Sequence, residues 1–183
     1  MQEHVRPDGS TYHVVDFDPT TGAVLSKETY QGHSAGSTWA RGQAWAIYGF
    51  TMAYRYTQDP LLLAGAMDVA DYFLANLPAD AVPYWDFQAP SIPGEPKESS
   101  AAAIAAAGLL ELYQYAPNPA DRMRYYRQGS RILRSLSSPA YLASPGTSDG
   151  ILLHGVGNKP TGREIDVSLI YGDYYYLEAL GRW

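Results

Sequence analysis

The sequence contains no cysteine. Disulfides, thiolate metal sites and cysteine nucleophiles are therefore excluded. No apolar run approaches the roughly 18 residues that a membrane span requires. The first ten residues are polar and lack the apolar core of a signal peptide. No Asn-x-Ser/Thr acceptor occurs either, and a cytoplasmic location fits these absences. Basic charge is scarce: 13 Lys and Arg face 19 Asp and Glu, for a net charge of −6. That balance argues against a phosphate-backbone binder, so neither a nucleic-acid nor a membrane partner is expected. The four histidines form no His-x-x-x-His pair or other compact zinc spacing, and no metal or cofactor is expected. Asp16, Asp18 and Thr20 alternate like the start of a calcium loop. However, the glycine falls one place late at Gly22, and Lys27 stands where such a loop closes with Glu.

What is present is a globular composition with an aromatic bias. Hydrophobic residues make up 46% of the 183 positions and charged residues 17%, enough for a real core. Tyr is counted 16 times and Trp 4 times, against only 4 Phe. Tyr and Trp pair an apolar face with a polar edge, which suits both core-boundary positions and the faces of sugar rings.

The pattern along the chain is a short hairpin followed by helices. Residues 10–15 and 23–29 are β-rich and flank the turn Asp-Pro-Thr-Thr-Gly at 18–22. A Gly/Ser loop at 31–37 leads into a helix from Thr38. Asp59-Pro60 ends that helix and opens another to Leu77, with Asp59 as its cap. A proline-rich connection follows over 83–96, long enough to suggest function. Ser99-Ser100 caps an alanine-rich helix running to Tyr115. After Asn118-Pro119, a basic amphipathic helix spans 121–136, its arginines reading as a solvated face. Residues 139–160 read as loop with a short strand at 151–153, and a last helix covers 166–180.

Tyr-Arg-Tyr-Thr-Gln-Asp-Pro at 54–60 repeats as Tyr-Gln-Tyr-Ala-Pro-Asn-Pro at 113–119. Each unit is an apolar inner helix, an Asp/Asn-Pro turn and an outer helix, and the final helix would start a third unit. This is an α-hairpin array, either a solenoid or a closed toroid.

The loops preceding the inner helices form the natural rim of a pocket. On the first rim, Arg41 and Trp45 stand four apart and share a helical face. A guanidinium beside an indole suits an acidic sugar, while the competing role for Arg41 is to hold loop carbonyls. On the second rim, Asp86 among aromatics is a candidate acid or a turn cap. On the third, His154 is a candidate proton carrier or a loop clamp, with Asp166 and Asp173 nearby in sequence.

Several blocks resemble the unsaturated glucuronyl hydrolases, glycoside hydrolase family 88. They are Asp-Gly-Ser-Thr-Tyr-His-Val-Val at 8–15 and Trp-Ala-Arg-Gly-Gln-Ala-Trp-Ala-Ile-Tyr-Gly-Phe at 39–50. Val-Pro-Tyr-Trp-Asp-Phe at 82–87, Ser-Ser-Ala-Ala-Ala-Ile at 99–104, Leu-His-Gly-Val-Gly at 153–157 and Asp-Val-Ser-Leu-Ile-Tyr-Gly-Asp-Tyr-Tyr at 166–175 complete the set. The resemblance implies an (α/α)₆ barrel and removal of a Δ4,5-unsaturated uronic acid from oligosaccharides. An aspartate protonates C4 and activates water for C5, and the resulting hemiketal collapses. It also implies that His13, Gln31, Arg41 and Trp45 bind substrate. Departures stand at His33, Lys97-Glu98 and Asn158-Lys159, where the family often has Tyr, Arg-Asp and two histidines.

The family's catalytic aspartates lie in an N-terminal half to which nothing here corresponds. The expected fold is therefore all-α: residues 1–183 as one partial domain, half of a six-hairpin toroid with a short N-terminal β-hairpin. No catalytic residue is expected within it. Its expected partners are an unsaturated uronic-acid oligosaccharide and a complementary N-terminal half. The alternative is a non-catalytic α-hairpin remnant that binds oligosaccharide or such a half.

Overall fold

The computed structural model describes residues 2–183. Among them are five α-helices and two small antiparallel hairpins. Strands β1 (Val14–Phe17) and β2 (Val24–Glu28) form the first hairpin, with an irregularity between Asp16 and Phe17. Asp18 closes the turn: its carboxylate accepts the amides of Thr20 and Thr21 at 2.8 and 2.7 Å. The turn reading of these acidic residues holds, and no cluster of potential metal ligands occurs among the described residues.

Helices α1 (Ala40–Thr57) and α2 (Pro60–Ala75) meet at the Asp-Pro turn. Gln58 takes a left-handed conformation, and the Asp59 carboxylate caps α2 by accepting from Leu61 N at 2.9 Å. The same device joins α3 (Ser99–Tyr115) to α4 (Pro119–Leu136), where Asn118 accepts from Ala120 N at 2.8 Å. In both places proline occupies a first-turn position whose amide would have no partner. Helix α4 thus begins two residues before the expected Asp121.

Helix α3 is the centre of the molecule. It packs against α1, α4 and α5 (Ile170–Arg182), while α2 lies chiefly on α1. Every residue from Ser99 to Leu112 is buried. Its alanines let the neighbouring backbones approach, and at Gly108 a Cβ would come within 3.1 Å of the Tyr48 backbone on α1. The three inner helices α1, α3 and α5 therefore lie side by side, with α2 and α4 outside them.

Four expectations are corrected. Ser99 and Ser100 sit inside the first turn of α3, and the cap is Glu98. Residues 155–167, read as loop and helix start, form a second hairpin of β3 (Gly155–Asn158) and β4 (Arg163–Val167). Leu152, assigned to a short strand, makes only an isolated bridge to Leu142. Helix α5 starts at Ile170 because Glu164 and Asp166 hold positive φ, which a right-handed helix excludes. The chain is thus mostly helical, with two small hairpins. No described helix is long and apolar enough to cross a membrane.

Candidate functional site

The loop 31–38 before α1 is held from two sides. Arg6 donates to Ala35 O, Ser37 O and the Thr38 hydroxyl, at 3.1–3.3 Å. The fully buried Asp86 accepts from His33 N at 2.9 Å and Ser37 Oγ at 2.7 Å through one oxygen, and from Gln88 N at 2.9 Å through the other. Of its two sequence readings, the cap of a turn is the one observed.

This bracing presents Gln31, Trp39, Arg41 and Trp45 around a concavity of about 250 Å³, which Tyr171 of α5 completes. Three of the four expected substrate-binding residues therefore share one surface. His13 lies alongside, its ring 4.4 Å from that of Trp39. The Nδ1 of His13 accepts from Tyr30 N at 3.3 Å and contacts Thr29 Oγ1 at 3.0 Å. That arrangement puts the neutral ring's proton on Nε2. Burial, aided by the charge of Arg41, lowers the His13 pKa from its ordinary 6.5.

Arg41 is 4% exposed, and its guanidinium pairs with the wholly buried Glu98 carboxylate. It also donates to Val156 O at 2.6 Å and Gly157 O at 2.8 Å on β3. The fork expected to meet a sugar carboxylate instead grips Glu98 and the loop carbonyls. The guanidinium also stacks 4.5 Å from Trp39 and 5.1 Å from Tyr171, so Arg41 builds the wall of the concavity. Gln31 donates its Nε2 to the same Gly157 carbonyl at 2.9 Å.

Glu98 itself was visible in the sequence only as a departure at the head of α3. Its signal was general: a buried arginine needs an anion, and Glu98 opens the helix whose neighbours are all small. Trp39 and Tyr171 lie within recognised blocks, but nothing in their spacing brings them together.

On the third rim, His154 Nδ1 and Asp166 Oδ1 lie 2.5 Å apart, both residues having positive φ. This pair borders a separate cavity of about 570 Å³ at the start of α5. Asp173, which also lines it, accepts the amides of Ile151 and Leu152 at 2.9 and 2.8 Å. Asp173 thereby fixes the loop before β3.

No family model matches the chain. Among curated proteins, an unsaturated glucuronyl hydrolase of Formosa agariphila is 47% identical over all of this chain and 45% of its own length. A crystal structure of an unsaturated glucuronyl hydrolase specific for heparin superposes with a TM-score of 0.95 at 42% identity. That match covers 99% of this chain and 49% of the solved one. A variant of the Streptococcus agalactiae unsaturated glucuronyl hydrolase, complexed with dGlcA-GalNAc6S, matches at a TM-score of 0.84 and 41% identity. It covers 98% of this chain and 48% of that chain. The chain is thus homologous over its whole length to the unsaturated glucuronyl hydrolases, and spans about half the length of the relatives it matches.

Proposed function

We propose that the chain supplies the sugar-binding part of a glycoside hydrolase that releases Δ4,5-unsaturated uronic acid by hydrating its double bond. The observation that carries this reading is the convergence of Gln31, Arg41 and Trp45 on one concavity, walled by Trp39 and Tyr171 and flanked by His13. Trp45 and Tyr171 offer aromatic faces to an apolar sugar face. Gln31, with its Nε2 already bound, offers its amide oxygen to a hydroxyl, and His13 offers Nε2–H. Arg41, its charge met by Glu98, holds the wall between Trp39 and Tyr171 in place.

On this reading residues 1–183 form one unit of three inner and two outer helices, the corresponding part of an (α/α)₆ toroid. A complementary polypeptide carries the remaining helices and the catalytic aspartates. The side of α5 turned away from α3 supports this arrangement. Ile170, Tyr174, Leu177 and Leu180 recur there at helical spacing and are all exposed, Ile170 to 81%. A further inner helix would cover such a stripe. The acids present here support it too, since Asp86 and Asp173 are both engaged with backbone amides.

The test follows loss of the double bond's ultraviolet absorbance with an unsaturated uronyl disaccharide such as dGlcA-GalNAc6S. The chain alone is expected to give no turnover, and the chain mixed with a polypeptide carrying the other helices is expected to give it. Robust turnover by the chain alone would overturn the assignment of the catalytic acid to a complementary part. The same mixture giving no turnover would count against the hydrolase reading itself.

A further inference from the structure

The ion pair beneath the concavity divides the work of one carboxylate between three elements. Oε1 of Glu98 accepts from Ser100 Oγ at 2.7 Å, Ser100 N at 3.2 Å and Val156 N at 3.3 Å. It thereby caps α3 and anchors β3. Oε2 holds Arg41 of α1. Arg41 returns to β3 through the carbonyls of Val156 and Gly157, and Gln31 shares the latter. Among the described residues, Glu98 is the only carboxylate paired with Arg41. The carbonyls it also binds are neutral, so the counter-charge comes from Glu98. Burial pushes the Glu98 carboxyl up, while Arg41 and the bonds from Ser100 and Val156 pull it back.

We propose that Glu98 is the positioning residue of the concavity: it fixes the Arg41 guanidinium plane between Trp39 and Tyr171, and so sets the spacing of the aromatic walls. Glu98 touches none of the space inside the concavity and acts through Arg41. The consequence for a bound sugar rests on the function proposed above, whereas the geometry of the walls rests on these contacts alone.

Glu98→Gln separates shape from charge. An amide of the same size must turn a donor either toward Arg41 or toward Ser100 and Val156, both of which are donors already. Nitrogen-15 spectra of the chain then report Arg41 through its guanidinium and Trp39 through its indole, with Trp183 at the far end of α5 as the control. In Glu98→Gln the Arg41 and Trp39 signals are expected to move while that of Trp183 stays. A folded variant with unchanged Arg41 and Trp39 signals overturns the proposal.

Should that variant fail to fold, Ser100→Ala decides the matter. It removes only the 2.7 Å donor to Oε1 and leaves the ion pair in place. The same signals are expected to move in the same direction by less, and their standing still overturns the proposal.

Titration with an unsaturated uronyl disaccharide separates the two readings. Affinity is expected to fall about 10–100-fold in Glu98→Gln, as when carboxylates that orient a contacting group are lost elsewhere. Binding by Glu98→Gln as tight as wild type overturns the positioning role. Failure of the wild type to bind sinks the sugar reading and leaves the wall geometry to be decided by the spectra.

Discussion

The inner layer of helices carries a buried glutamate–arginine contact at each end, and the two ends are built differently. At the site end, Glu98 has four donors on three elements and Arg41 has two further acceptors. At the opposite end, Glu111 of α3 lies 3.0 Å from Arg55 of α1 and 3.0 Å from Arg182 of α5. Both of its carboxylate oxygens are buried, yet neither has a partner in hydrogen-bonding geometry. Arg55 is over a third exposed, and Arg182 divides itself among Glu111, Glu178 and Ala107 O. Both clusters tie α1 to α3, the site end adding β3 and the far end α5. Directed hydrogen bonds on every side give the site end one geometry, while the far end holds charge near charge and tolerates rearrangement.

The largest expected effect tests that contrast directly. Arg41→Met leaves Glu98 buried without its counter-charge, which typically costs about 3–5 kcal/mol. Arg55→Met leaves Glu111 with Arg182 and removes a partly solvated pair, for about 0.2–1 kcal/mol. Urea midpoints at unchanged slope give both values. Equal losses for the two variants would break the comparison.

Neutral donors sharpen it at the next scale down. Ser100→Ala removes a buried hydroxyl from a charged acceptor, expected to cost about 1.5–3 kcal/mol. At the far end, Tyr48 donates to Glu178 at 3.1 Å, and Arg182 serves the same oxygen at 3.2 Å. Tyr48→Phe is therefore expected to cost about 0.5–1.5 kcal/mol. Thermal melts of the two variants rank them. A larger loss for Tyr48→Phe would mean that directed hydrogen bonds matter more at the end assigned fewer of them.

The two ends also differed in how well they could be read from the sequence. Local chemistry was legible: Asp59-Pro60 and Asn118-Pro119 each place a capping oxygen before a proline, and both behave as such. The four-residue spacing of Arg41 and Trp45 placed both on the concavity. What Arg41 faces was not legible, because Glu98 lies 57 residues away and no periodicity links them. The hairpin of β3 and β4 was hidden for a different reason. Gly155, Gly157 and Gly162 break the alternation that marks strands, and Glu164 and Asp166 take a conformation that favours glycine. Asp166 therefore looked like the start of a helix that begins four residues later.

The smallest effect separates the ends by titration. His13 flanks the site end, and its pKa is lowered by burial first and the Arg41 charge second. As pH falls below 6.5, the unfolded imidazole takes a proton that the folded one refuses. The unfolded state then binds more protons, so stability declines with acid until the folded pKa is passed. His4 is lowered as well, chiefly by burial, and adds a decline of the same sign. Asp8, Asp18 and Asp80 are lowered from 3.8, and their contribution is lost only at or below that value, in a separate window. His13→Asn is expected to flatten part of the decline below 6.5 and His4→Asn a further part, while Glu98, its carboxyl pushed up by burial, contributes with the opposite sign. Nuclear magnetic resonance titration of His13 in Arg41→Met then isolates the guanidinium. The imidazole pKa should rise toward 6.5 without reaching it, because burial, the larger cause, remains. An unmoved pKa would show that the Arg41 charge is neutralised by Glu98 at the distance of His13, tightening the pairing at the site end beyond what the contacts alone require.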